Sequence, residues 1–162
     1  MATKNLSEYQ NDTVPDARGM NFGIVVAEWN SDITYALMDA AVQTLLENGA
    51  KKSDIEIIYV PGSFELTAGA QLMANSRQVD AIICIGCVIR GETPHFDYIC
   101  QGVTVGLTHV SIKYEIPVIF GVLTTNNLEE ALDRAGGKHG NKGVEAAITA
   151  IKMVDLVIQM TE

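Results

Sequence analysis

The chain has 162 residues, of which 48% are hydrophobic but only 6% aromatic, so it can build one domain around Ile, Val, Leu and Ala and is too short to be split in two. Its formal net charge of −9 argues against nucleic acid or an anionic membrane as a general partner, because both reward clustered positive charge. No apolar run approaches the length of about eighteen residues that spans a bilayer, and the polar N-terminus lacks the apolar segment of a secretory signal; the expected location is the cytoplasm, or an organelle after removal of a transit peptide.

Met1 to Met20 is polar, carries Pro15 and Gly19, and reads as a flexible arm without a core of its own, either disordered or tethered to a neighbouring subunit. A single domain is expected from Asn21 to Glu162. Asn21 to Ala27 is a near-continuous apolar run, the mark of a strand covered on both faces. Ser31 or Asp32 can cap the next helix, in which Ile33, Leu37, Ala41 and Leu45 recur at helical spacing before Gly49 at the C-terminal cap. The only tryptophan, Trp29, falls in the loop between. A lone Trp is commonly a core anchor, yet the carboxyl end of a parallel strand is also where an indole can stack on a flat ligand, and both readings stand.

A second strand, Ile55 to Val60, ends at Pro61 and Gly62, and a helix is expected over roughly Glu65 to Ser76. Ser63 suits its N-cap and Glu65 its first turn, near the positive end of the helix dipole. The same two residues could exchange hydrogen bonds with a polyol or an amide. Asp80 to Val88 reads as the third strand and Phe96 to Tyr114 as the helix after it. The loop between them brings Arg90, Gly91, Thr93 and His95 together. In an open parallel sheet such loops lie where ligands bind, and the N-terminus of the following helix favours an anion. Ile99, Val103, Leu107, Val110 and Tyr114 form one stripe of that helix; Gly102 and Gly106 thin an adjacent face and suggest close helix contact, within the chain or across a subunit boundary. Cys84 and Cys87 have the spacing of half a zinc site, but no second pair follows. With Cys100 they read as small apolar residues, and no metal is expected.

Pro117 to Leu123 is the fourth strand, in which Phe120 interrupts an aliphatic run as a core residue would. Asn127 can cap a short helix through Arg134. Ala135 to Gly143, dense in Gly and Lys, lacks the spacing of a Walker loop and reads as a flexible solvated loop. A final helix, Asn141 to Met160, is expected to turn Val144, Ile148, Ile151, Met153, Val154 and Ile158 inward. Four strands alternating with helices give a three-layer α/β/α sandwich around a four-stranded parallel sheet. So narrow a sheet has edges that need covering, which points to self-association.

Gly-Ser-Phe-Glu after the second strand, Cys-Val-Ile-Arg-Gly-Glu-Thr-Pro-His-Phe-Asp-Tyr after the third, Pro-Val-Ile-Phe-Gly-Val-Leu-Thr in the fourth, and Arg-Ala-Gly followed by Gly-Asn-Lys-Gly together resemble the 6,7-dimethyl-8-ribityllumazine synthase family. The likeness runs from Asn21 to Glu162 in order and without large gaps. It implies a flavodoxin-like fold and the penultimate step of riboflavin biosynthesis. In that step 5-amino-6-(D-ribitylamino)uracil condenses with 3,4-dihydroxy-2-butanone 4-phosphate to give the lumazine, phosphate and water, with no cofactor. Imine formation, phosphate loss, tautomerisation and ring closure are mainly proton transfers between well-placed partners.

Carried over by the resemblance, Trp29 would stack on the pyrimidine, at a position where many relatives have Phe. Ser63, Phe64 and Glu65 would line the ribityl and pyrimidine pocket, and Cys87, Val88 and Ile89 would meet the pyrimidine edge through their backbone. Gly91, Glu92 and Thr93 would form the phosphate loop, with Arg134 pairing to the phosphate as a charge-assisted fork. His95 would move protons, a task suited to the side chain that changes charge near neutral pH, with Asp97 a candidate to orient it. Lys142 would add positive charge near the ligand. Phe120 would close the pyrimidine pocket of the adjacent chain, so that catalysis requires assembly. The family forms pentamers, in some members twelve of them in a hollow icosahedral shell that can enclose riboflavin synthase. The short segment between Arg134 and Lys142 favours a shell and the long N-terminal arm leaves it open. A flavin or nucleotide carrier, and a structural shell or receptor that has lost the chemistry, are the competing classes. The first gives His95 no task; the second is opposed by the joint presence of His95, Arg134, Lys142 and Phe120.

Overall fold

The computed structural model describes residue 8 and residues 13–76 and 78–161. Strands β1 (Phe22–Ala27), β2 (Ile55–Val60), β3 (Ala81–Ile89) and β4 (Val118–Thr125) form a parallel sheet in the order β2-β1-β3-β4. They alternate with helices α1 (Ser31–Glu47), α2 (Leu66–Ser76), α3 (His95–Tyr114), α4 (Leu128–Asp133) and α5 (Lys142–Thr161). The expected three-layer, flavodoxin-like α/β/α sandwich is the architecture the chain adopts.

The period of two along each strand sorts the core into two halves. Phe22, Ile24 and Val26 of β1 and Ala81, Ile83 and Ile85 of β3 face α1 and α5; Val25 and Ala27, with Ile82 and Cys84, face α2 and α3. Every residue of β1 is buried, which accounts for its unbroken apolar sequence. Cys84 and Cys87 are buried free thiols within β3, as their reading as small apolar residues requires. Burial pushes the Cys84 thiol far up and that of Cys87 up to about 11.

Several details differ from the sequence reading. Most of the N-terminal arm lies outside the described residues, but its last part is not free of the core: Ala17 and Met20 are buried beside α1, and Ala17 N–H donates to Asn48 O at 2.8 Å. Neither Ser31 nor Asp32 caps α1; the N-cap is Asn30, in the left-handed region at φ 60, with no side-chain bond to its own helix. Ser63 is likewise inside its turn, since Gly62 precedes a single 3-10 turn over Ser63–Glu65 that leads into α2.

The Gly-rich stretch is not an open loop. Ala135–Gly137 (β5) and Gly140–Asn141 (β6) pair as a small antiparallel ribbon. The ribbon is tied down by α1, because Asn141 Nδ2 donates to Ala36 O at 3.2 Å and a side chain at Gly143 would collide with the Leu37 carbonyl. The N-terminus of α5, and with it Lys142, is thereby held in place.

The inward stripe of α5 is Ala146, Ala147, Ala150, Ile151 and Val154, while Met153 and Ile158 are exposed and Val144 and Ile148 half-buried. Alanine faces inward because α5 packs closely on α1, which leaves the larger apolar side chains outside. Gly102 and Gly106 of α3 do make a close helix contact, and it lies within the chain: Phe64 packs on the first and Thr67 on the second. Among the described residues no helix is long and apolar enough to cross a membrane.

Candidate functional site

The carboxyl ends of β1, β2 and β3 bring one group of the expected residues together. Trp29 follows β1 by two positions and is 69% exposed, so it does not anchor the core. Its indole lies over Gly62, where a Cβ would stand 2.6 Å from the ring. Gly62 lets the ring lie this close to the backbone, and a side chain there would push the exposed indole aside. Glu65 points back into the same corner, its Oε2 accepting from Gly62 N–H at 3.1 Å. Ser63 is buried, with its hydroxyl 3.5 Å from the Cys87 carbonyl. Phe64 is exposed, with its ring against Gly102 of α3. Beyond Cys87, Val88 and Ile89 are half-buried and pair on their β4 side with Thr124 and Thr125. This corner thus offers an accessible aromatic face, a carboxylate and a strand edge within one wall.

After β3 the chain runs through the exposed loop Gly91–Pro94 into α3, which starts at His95. Gly91, Glu92, Thr93 and His95 are all exposed, and a side chain at Gly91 would meet nothing within 4 Å. The loop ends on a helix N-terminus, whose N–H groups favour an anion. Arg90 does not join that task. Its guanidinium lies 4.1 Å from the centre of the Phe96 ring and donates to Asp97 Oδ1 at 3.1 Å. Asp97 is accordingly paired with Arg90 and does not orient His95. This ion pair bridges the two ends of the loop, across residues 90 to 97, and the loop's base is fixed by Arg90 N–H donating to Thr125 O at 2.8 Å.

Phe120, Arg134 and Lys142 form a second group on the β4 flank. They line a cleft of about 490 Å³ with Thr124, Thr125, Lys138, His139 and Glu145, and neither Trp29, Ser63–Glu65 nor Gly91–His95 contributes to its walls. Phe120 projects from the edge strand and is partly exposed rather than a core residue. Glu145 organises the cations: its Oε1 meets Arg134 Nη2 at 2.5 Å and its Oε2 meets Lys142 Nζ at 3.2 Å. The Glu145 side chain is 10% exposed against 23% for Arg134 and 30% for Lys142, so the carboxylate sits deepest and the cations face outward. Arg134 also donates through Nη1 to the His139 carbonyl. Lys138 instead pairs with Asp133 at 2.7 Å, which raises its pKa. Thr125 Oγ1 is buried at the cleft with no partner.

One chain therefore carries an aromatic ring and a carboxylate in one corner, an exposed imidazole at the start of α3, and Phe120 with the paired cations in the cleft beside β4. Sequence reasoning missed Glu145 and Asn30. The i,i+3 spacing of Glu145 from Lys142 was a usable signal. Asn30, which donates from Nδ2 to Cys87 O at 3.0 Å, left none.

Fold and site define a flavodoxin-like α/β protein with a candidate small-molecule site at the carboxyl ends of its strands. Residues 19–157 match the family model described as 6,7-dimethyl-8-ribityllumazine synthase. Relatives bearing that name include proteins of Parabacteroides distasonis, 56% identical over 95% of this chain and 96% of the relative, and Cytophaga hutchinsonii, 58% identical over 94% and 96%. A third, from Bacteroides fragilis, is 61% identical over 85% of this chain and 96% of its own length. The chain belongs to the 6,7-dimethyl-8-ribityllumazine synthase family.

Proposed function

We propose that this protein condenses 5-amino-6-(D-ribitylamino)uracil with 3,4-dihydroxy-2-butanone 4-phosphate to give 6,7-dimethyl-8-ribityllumazine, inorganic phosphate and water. The observation that carries the reading is the gathering of Trp29, Glu65 and the Cys87–Ile89 edge at the carboxyl ends of β1 to β3, on a chain that also holds Phe120 and the Glu145-paired cations Arg134 and Lys142 in one cleft. Trp29 offers a face for the pyrimidine, Glu65 an acceptor for ribityl hydroxyls, and Cys87, Val88 and Ile89 a backbone edge. Ser63 and Phe64 complete that wall. Gly91, Glu92 and Thr93 receive the phosphate at the start of α3, next to His95.

The chemistry is proton traffic around a bound pair. The uracil amine adds to the ketone and loses water to form the imine; phosphate then leaves, the enol tautomerises, and ring closure expels a second water. His95 accepts and returns protons in these steps. Arg134 and Lys142 offset the phosphate and carbonyl charge, and Phe120 covers the ring. Holding both substrates in register supplies a large part of the rate.

Phe120, Arg134 and Lys142 line a cleft to which Trp29 and His95 do not contribute, which supports a working unit in which these three residues of one chain complete a neighbour's Trp29 and His95 wall. A cytoplasmic homopentamer fits this reading, and twelve such rings in a shell, with riboflavin synthase as its cargo, are the larger form of the same arrangement.

The test is to mix the purified protein with both substrates and follow lumazine fluorescence and phosphate release together, against a matched protein-free control for the slow spontaneous reaction. Catalysed appearance of both products is expected. No acceleration by a preparation that light scattering shows to be pentameric would defeat the reading, and a monomer in solution would defeat the shared site.

A further inference from the structure

β1 lies between β2 and β3, so the loop at its carboxyl end borders both neighbours. On the β2 side the backbone carries the ladder past the strand: Glu28 N–H donates to Val60 O at 2.9 Å and Trp29 N–H to Pro61 O at 3.0 Å. On the β3 side the ladder stops at Val26 opposite Ile85. Beyond it stands a side chain. Asn30 Nδ2 donates to the Cys87 carbonyl at 3.0 Å, and Ser63 Oγ approaches the same oxygen at 3.5 Å.

The backbone at Asn30 suits this use. Its φ of 60 and ψ of 44 lie in the left-handed region, which Asn tolerates better than most residues with a side chain. That turn starts α1 and leaves the amide free to point back at β3. The loop bearing Trp29 is thus pinned to β2 by its backbone and to β3 by one amide.

We propose that Asn30 is a positioning residue, whose amide replaces the missing rung of the β1–β3 ladder and sets the gap between the Trp29 indole and the Cys87–Ile89 edge. A planar ring that stacks on the indole and meets the strand edge must satisfy both at once, so the gap decides how well it fits. Errors on the scale of an ångström matter at such a site. The inference rests on the function proposed above only for the identity of the ring, a pyrimidinedione bearing a ribityl chain.

Two full-length variants test it. Asn30→Gly keeps the left-handed backbone accessible and deletes the amide; Asn30→Asp keeps shape and backbone but sets a carboxylate oxygen against the Cys87 carbonyl. Trp29 is the sole tryptophan, so its emission anisotropy, and its quenching by ribitylaminouracil, read the ring directly. Asn30→Gly is expected to weaken ribitylaminouracil binding by up to about tenfold, because the ligand must then order a loop that the amide bond had already set, to lower Trp29 anisotropy, and to change the KM for the butanone phosphate by less than about twofold. Asn30→Asp should be worse at neutral pH. It should recover between about pH 6 and 4, as the protonated acid regains a donor, whereas Asn30→Gly stays flat.

Equal losses for both substrates, an unchanged anisotropy, or variants that do not fold would assign Asn30 a general structural role and overturn the proposal. A wild type that binds and turns over, with variants that match it, would overturn this inference alone. A wild type that neither quenches nor catalyses would overturn the functional reading and this inference with it.

Discussion

Replacing Glu145 by Gln removes one negative charge from between two positive ones. Oε1 and Oε2 each serve a different cation, at 2.5 and 3.2 Å, and an amide keeps only one acceptor; its NH₂ is repelled by whichever cation it faces. Hydrogen bonds to charged groups are worth about 1.5–3 kcal/mol each. Lys142, at 30% exposed, recovers part of its loss from water, whereas Arg134 keeps only the His139 carbonyl. A net cost of about 2–3 kcal/mol follows, which for a chain of this size lowers Tm by roughly 5–10 °C. The same change frees the guanidinium to adopt other rotamers, so the KM for the phosphate substrate should rise several-fold while binding of ribitylaminouracil alone changes little. Differential scanning calorimetry gives the first number and steady-state kinetics with each substrate varied gives the second. A Tm within 2 °C of wild type, by the same scaling, would refute the idea that this carboxylate holds the cleft.

Other consequences are as direct. His95→Ala should slow turnover by about a hundredfold or more, the usual scale of acid/base help, with ribitylaminouracil binding preserved in equilibrium titration; Arg134→Ala should act chiefly on the KM for the butanone phosphate. Gly62→Ala places a methyl 2.6 Å from the Trp29 ring, and since that ring is free to swing outward, Tm should move little while the KM for the pyrimidine rises. The buried thiols make the fold sensitive to alkali. Because the Cys87 thiol is pushed up to about 11 from an ordinary 9.0, the folded state favours its neutral form, and that contribution is complete below about pH 9 and lost as pH rises toward 11. The unfolding free energy from urea titration should fall across that window by an amount on the order of 2–3 kcal/mol for this group, and less steeply in Cys87→Ala.

The sheet was readable because parallel strands covered on both faces leave long apolar runs, and α1 and α3 because each buries one stripe against a flat surface. The ribbon β5–β6 escaped notice since three Gly-rich residues paired with two carry no alternation; it is held by contacts to Ala36 and Leu37, about a hundred residues earlier, and by no local preference. The inward face of α5 was misplaced for a related reason. A periodic search rewards large apolar residues, while close packing on α1 selects alanine. At the site, Trp29, Ser63, Glu65 and His95 could be placed by the rule that puts ligands at strand ends. Arg90 and Asp97 could not be sorted, as two charged residues that flank a loop can pair with one another as easily as serve a ligand. Nothing in the order of residues sets Arg134 in one cleft with Phe120 and Lys142; that depends on how the chain turns after β4.

A site shared between neighbouring chains, as proposed above, would also have a genetic signature. In the proposed assembly, chains with His95→Ala and chains with Arg134→Ala would each be impaired in a different half, and in a mixed ring an intact pair of walls would re-form wherever complementary flanks meet. Random one-to-one assembly makes that about a quarter of the junctions in a cyclic homo-oligomer. Two defective alleles expressed together would then restore growth that neither supports alone.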